Sequence, residues 1–195
     1  MKTNNKTLLI LIIIVLSFCS LVSAQDNSYV KGRWTLNIGV VPDTKYFSMG
    51  LYPHHQLMLS AHYGFDKYVE VGGYSGISKY PYYNEDYIYF GTRNKILYGL
   101  SAKAHLLPLV IDAQDFRFDL YVNLRTGIDH FSGANSLYQK NVFRFHGGAG
   151  LAFYPFKHLG AFTEFGYDNH GIINYLVNRT WEFGLVFKFR SRRGE

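Results

Sequence analysis

Histidine beside serine or aspartate is the pairing that makes a nucleophile or a general base. An imidazole titrates near neutrality and can take a hydroxyl proton, while a carboxylate orients the ring. Among the 8 His of this chain, three places offer that chemistry: Asp129-His130 with Ser132, Asp168 with His170, and His54-His55. His130-Phe131-Ser132-Gly133 carries only a His-x-Ser fragment, and each His reads as a solvated loop residue before a catalytic one. His54 and His55 are adjacent, so on an extended chain they point to opposite sides and share a metal ion poorly. The single Cys, Cys19, excludes a disulfide framework and a Cys-rich zinc module. No His-Glu-x-x-His motif, P-loop or dinucleotide fingerprint occurs. The sequence therefore predicts no catalytic residue, no metal and no cofactor.

The elements that would position these groups come from a chain of 195 residues, 48% hydrophobic, 18% aromatic and 17% charged. Such a chain has ample apolar surface to bury and is not disordered. The net charge of +6 is scattered, with no long basic run, so nucleic acid is not an expected partner. Residues 1–24 read as a signal peptide. Lys2 and Lys6 precede the apolar run Leu8 to Leu16, and Val22-Ser23-Ala24 supplies small residues for cleavage before Gln25. The run is short for a bilayer span. Phe18 before Cys19 breaks a lipoprotein site. Residues 25–195 are then one exported domain without cysteine.

That domain shows period-2 alternation bounded by Gly, Pro, Asn and Asp, with no convincing helical periodicity. In the last strand Trp181, Phe183, Leu185, Phe187 and Phe189 share one face, and Thr180, Glu182, Gly184, Val186 and Lys188 share the other. The same pattern sets Phe118, Leu120, Val122 and Leu124 against Asp119, Tyr121, Asn123 and Arg125. Eight strands are predicted, at about 32–41, 55–64, 67–75, 94–107, 115–127, 142–154, 159–168 and 178–189. Several reach ten residues or more, against a usual five or six. Ten tilted residues rise about 25 Å, the height of an apolar membrane band. Links at 42–54, 76–93, 128–141 and 169–178 are long, and those at 65–67, 108–114 and 155–158 are short. Alternating link lengths fit an up-and-down barrel with long loops at one end. The longest, 76–93, is rich in Tyr and is expected to form a hairpin of its own.

Such a barrel has two orientations. In a soluble lipid carrier of the lipocalin kind the apolar face points inward; Gly32-Arg33-Trp34 resembles the Gly-x-Trp start of those proteins. In a membrane barrel the faces are exchanged. Strand length, the alternation of links, small residues sharing the charged face, and the short chain after the last strand favour the membrane. Aromatic belts are then expected at both rims. The inward charges would form a network, with Glu70, Lys103 and Asp119 in the lower half and Arg125, Arg144, Glu164 and Glu182 in the upper half. Mixed signs imply pairing, because an unpaired buried charge is very costly.

Two segments carry a family resemblance, Gly160-Ala161-Phe162-Thr163-Glu164-Phe165-Gly166-Tyr167 and the closing Trp181 to Phe189. Over residues 29–189 the chain resembles the small outer-membrane β-barrel proteins of Gram-negative bacteria, of the OmpX/OmpA-barrel type often labelled porin-like. The resemblance implies an all-β, eight-stranded antiparallel transmembrane barrel, monomeric, in outer-membrane lipid. It implies that Trp181, Phe183, Leu185, Phe187 and Phe189 form the signal read by the barrel-assembly machinery. Relatives often end on the aromatic residue, whereas Arg190-Ser191-Arg192-Arg193-Gly194-Glu195 follow here. An eight-stranded lumen is filled by side chains, so a structural role, or contact with an extracellular partner through 76–93 and 128–141, is expected rather than an open pore. Some barrels of this size edit lipid A as deacylases or acyltransferases. The deacylase His-x-Ser-Asn pattern is absent from this sequence.

Overall fold

The computed structural model describes residues 30–42, 55–83, 89–109, 117–132, 141–170 and 177–190. The expected signal segment 1–24, His54 and the tail 191–195 lie outside them. Eight strands form one closed antiparallel barrel in chain order: β1 (Arg33–Val41), β2 (Gln56–Gly64), β3 (Val69–Tyr83), β4 (Tyr89–His105), β5 (Phe118–Phe131), β6 (Asn141–Phe153), β7 (Leu159–His170) and β8 (Val177–Arg190). Every strand pairs with its sequence neighbour. β8 closes on β1 in register, with Trp34 opposite Phe189 and Val40 opposite Phe183. Closure removes the free edges that a sheet otherwise exposes.

The alternation read in the sequence sets the faces, and the apolar face is outside. Leu100 is 69% exposed, Phe143 65% and Leu124 51%, whereas Glu70 and Asn123 are 0% exposed. From Phe118 to Ile128 on β5, side chains of one parity form an unbroken outward stripe about 25 Å tall once tilted. On β2 through β8 the outward apolar run ends at His55, Lys79, Asn94, His130, Asn141, Asn169 and Arg179. Near the end where Arg33 and Arg190 lie, Trp34 packs on Tyr63 with ring centres 5.1 Å apart, and Phe118 on Phe153 at 4.9 Å. Toward the far end Phe165 meets Tyr167 and Trp181 meets Phe183.

The strands differ in extent from the sequence reading. Most of the expected loop 76–93 is strand: β3 runs to Tyr83 and β4 starts at Tyr89. Pro81 sits in this ladder opposite Thr92, beyond Ser78, the last residue of β3 that β2 pairs. Among the described residues no strand pairs with it on the β2 side, an edge position of the kind that tolerates proline, and β3 runs on through it. Likewise β5 continues to Phe131 and β6 begins at Asn141, which shortens the expected loop 128–141. The link expected at 108–114 is longer instead. β4 stops at His105, and Leu107–Leu109 form a 3-10 turn around Pro108, which cannot donate to a ladder.

The chain enters the barrel through a tight turn. Gly32 has φ of 75°, the left-handed region that glycine adopts without penalty. Its N–H donates to the Gly64 carbonyl at 2.7 Å, and the N–H of Val30 donates to the Lys67 carbonyl at 3.2 Å. Val30 is thereby fully buried at the terminal end of the barrel.

Candidate functional site in the barrel lumen

Inward positions on all eight strands converge on the lumen, which is layered. On β4 the inward order from the terminal end is His105, Lys103, Ser101, Gly99, Leu97 and Lys95. On β5 it is Asp119, Tyr121, Asn123, Arg125, Gly127 and Asp129. The layers take their chemistry from these sequences.

The layer nearest the termini centres on Glu70. Arg33 donates to Glu70 Oε1 through Nε at 3.0 Å and Nη2 at 2.8 Å, and Thr35 Oγ1 donates to the same oxygen at 2.8 Å. His105 Nδ1 lies 2.8 Å from Asp119 Oδ1, and its Nε2 lies 3.5 Å from Glu70 Oε2. Lys103 is directly opposite Glu70 in the ladder yet forms no ion pair among the described residues. Its ammonium rests 4.7 Å from the ring centre of Tyr121 and 5.9 Å from that of Phe162. The expected lower cluster of Glu70, Lys103 and Asp119 therefore lines one space, but Arg33 and His105 hold the two acids.

Above it lies an apolar layer of Tyr121, Ala152, Tyr154, Phe162 and Val186. The Tyr121 ring occupies the space beside Gly150, where a Cβ would come 2.3 Å from Tyr121 Cζ. Small inward residues opposite large ones are how so narrow a barrel is filled.

The next layer is a polar chain. His62 Nε2 and Ser101 Oγ are 2.8 Å apart, Ser101 Oγ donates to Asn123 Oδ1 at 3.0 Å, and Asn123 Nδ2 donates to both Glu164 oxygens. Arg125 crosses the lumen with two bonds of 2.6 Å, Nη2 to Glu164 Oε1 and Nη1 to Glu182 Oε2. His146 links this layer to the one above, with Nε2 3.0 Å from Glu164 Oε1 and Nδ1 2.8 Å from Asp168 Oδ1.

Toward the far end Arg144 bonds Asp168 and lies 3.7 Å from Asp129, which is 3.6 Å from Lys95. Met58, Tyr74 and Leu97 pack beside this group as a second apolar cluster. Arg144 thus pairs with Asp168 and Asp129, not with the glutamates expected for it. Arg125, Glu164 and Glu182 do come together. Arg33, His105, Asn123, Asp129, His146 and Asp168 were absent from the predicted network. Strand parity was the signal available for them: all but Arg33 share a strand face with a predicted member, and Arg33 lies on the polar face of β1.

Among the described side chains, the residues considered for catalysis are not assembled as a site; His54 and the His170 side chain lie outside them. Asp129 points into the lumen, whereas His130 points away and its Nδ1 lies 2.7 Å from Asn141 Oδ1. Ser132 Oγ donates to the Asn94 carbonyl. Asp168 is bonded by His146 and Arg144, and it alternates with its neighbours toward the lumen. His55 is exposed at the start of β2. Among the described residues, no group of His, Cys, Asp or Glu has the arrangement of a metal site. On β8, Trp181, Phe183, Leu185 and Phe189 face outward and are about half exposed, and Phe187 lies on the same face.

Neither a protein-family model nor a curated protein matches the sequence. Solved structures do match in fold. The outer-membrane protein OprG of Pseudomonas aeruginosa superposes with a TM-score of 0.56 at 13% identity, covering 84% of this chain and 99% of that one. Neisserial surface protein A gives 0.54 at 12% identity, covering 83% and 99%. The N-terminal β-barrel domain of Pseudomonas aeruginosa OprF gives 0.53 at 16% identity, covering 82% and 99%. The resemblance to small outer-membrane barrels therefore holds at the level of fold: the chain is a closed, eight-stranded, up-and-down β-barrel of the outer-membrane type.

Proposed function

We propose that this protein is an integral outer-membrane barrel, inserted after removal of residues 1–24, whose lumen is sealed by paired side chains. Its role is structural, or one of surface contact through its far-end links. The observation that carries this reading is Arg125, which bonds Glu164 and Glu182 from across the lumen at 2.6 Å each. A buried charge held on both sides by partners closes the passage that a porin would keep open. The outward apolar face supports the membrane location and opposes a soluble lipid carrier. Insertion would use the outward stripe of β8 as the recognition surface for the assembly machinery. The extracellular contact surface is reduced to the links 84–88 and 132–140 together with the ends of β3 and β4, in place of the broader loops expected. A lipid A-editing activity has no assembled His, Ser and Asp to support it among the described residues.

Two measurements test the reading. The membrane fraction should contain the protein in a form that migrates faster on gels before heating than after. In planar bilayers the refolded chain should show no steady nanosiemens conductance. A soluble protein overturns the membrane reading, and a steady open pore overturns the sealed lumen.

A further inference from the structure

The terminal end of the barrel has four junctions where strands meet or the chain enters, and each carries the same pair of features. At the β8–β1 closure, Trp34 is 49% exposed on the outer face, and Lys31 is exposed just before it. The β2–β3 turn presents Phe65, 54% exposed, two residues before Lys67. The β4–β5 link presents Leu109, and Arg117 is exposed where β5 begins. The β6–β7 turn presents Phe156, 65% exposed, next to exposed Lys157. The β2–β3 and β6–β7 turns are four strands apart in a ring of eight, so they face each other across the barrel. Among the described residues of these junctions, Asp66 is the one acid.

An apolar side chain with a cation beside it, repeated around a ring, matches a leaflet whose acyl chains lie just inside its phosphates. Aromatic and leucine side chains exposed in turns gain nothing from water, and the outward apolar bands of the strands end at these turns. Cations at the same level lie where phosphate groups lie. We propose that this ring binds anionic phospholipid headgroups of the periplasmic leaflet and sets the depth of the barrel in the bilayer. The inference rests on the membrane reading above and adds a lipid class and a face to it.

The test uses the refolded full chain in vesicles of phosphatidylcholine carrying trace spin-labelled lipid. For the wild type, spin-labelled phosphatidylglycerol should be motionally restricted roughly two- to fivefold more than spin-labelled phosphatidylcholine, a preference that salt should reduce. Replacing Lys31, Lys67, Arg117 and Lys157 together by Gln should bring the ratio to about 1. A second variant, Lys79→Gln with Arg179→Gln, removes exposed cations at the far end and should keep the wild-type preference. No preference in the wild type, or a preference that follows the far-end variant instead, overturns the proposal. Gel migration before and after heating shows which variants are folded. A single-residue series then takes the place of any combined variant that is not. Failure of the wild type to enter vesicles at all would defeat the membrane reading itself, a result distinct from loss of lipid preference.

Discussion

Glu164 and Glu182 stand directly opposite each other on β7 and β8, and one guanidinium serves both. Like charges facing each other across a ladder destabilise a sheet. Arg125, three strands from β8 along one side of the ring, reverses that cost by donating a separate N–H to each acid. Placing two acids in one register and their cation across the lumen ties distant parts of the barrel together.

Removing the cation therefore leaves two buried carboxylates face to face. Arg125→Met should lower stability by about 3–5 kcal/mol, the usual cost of breaking a buried ionic group from one side. The triple change Arg125→Met, Glu164→Gln, Glu182→Gln should recover much of the loss, because no charge is then left unpaired. Reversible urea unfolding in lipid vesicles, followed by tryptophan fluorescence, measures both. Equal stability of Arg125→Met and wild type would show that the triad carries no energetic weight.

The fit between small and large inward residues makes a second prediction. A Cβ at Gly150 would lie 2.3 Å from Tyr121 Cζ, and one at Gly39 would lie 2.4 Å from Glu182 Oε1. Gly150→Ala must displace a packed ring in a narrow barrel and should cost about 1–3 kcal/mol. Gly39→Ala meets a carboxylate end that Arg125 already fixes, and its cost should shrink in an Arg125→Met background. A double-mutant cycle on unfolding free energy reads that coupling.

Orientation makes a third. Leu100, 69% exposed, is the most exposed of the large apolar side chains described on β4 and lies near the middle of the apolar band. Leu100→Arg should destabilise the inserted barrel by about 2–4 kcal/mol. Lys79→Leu, at the edge of the band, should change stability by less than about 1 kcal/mol. The same urea titration compares them, and equal costs would mean that no membrane gradient acts on this face.

Strand number, order, closure and face were legible in the sequence, because period-2 alternation is a local signal and each strand repeats it. The Trp181 to Phe189 stripe shows this most plainly, with every second residue outward as its spacing required. Strand ends were less legible. Pro81 reads as a loop residue, but it lies past the last residue of β3 that β2 pairs, where a proline is tolerated. Pairing inside the lumen was least legible. Parity tells which residues point inward, but the stagger of strands decides who meets whom. Glu70 was expected in a lower cluster with Lys103 and Asp119; the structure pairs it with Arg33, two strands away, while Lys103, its ladder partner, rests on aromatic rings. Asp129 and Asp168 were read as possible partners for neighbouring histidines. Asp129 and His130 are adjacent on β5 and face opposite ways, whereas Asp168 shares a face with His170 but is held by His146 and Arg144.

His146 provides the last prediction. Its two ring nitrogens lie within hydrogen-bond distance of one acid of the Arg125 layer, Glu164, and one of the Arg144 layer, Asp168. Each acid keeps an arginine without it, so His146→Ala should not unfold the barrel but should separate the two layers energetically. In wild type, replacing Arg125 and Arg144 by Met should give effects that do not add, with an interaction energy of roughly 0.5–3 kcal/mol. In the His146→Ala background the two effects should approach additivity. Unfolding free energies of the eight combinations, measured in one lipid composition, decide it. Unchanged coupling without the imidazole would mean that the layers communicate through the backbone or through packing, and that His146 is only a filler between them.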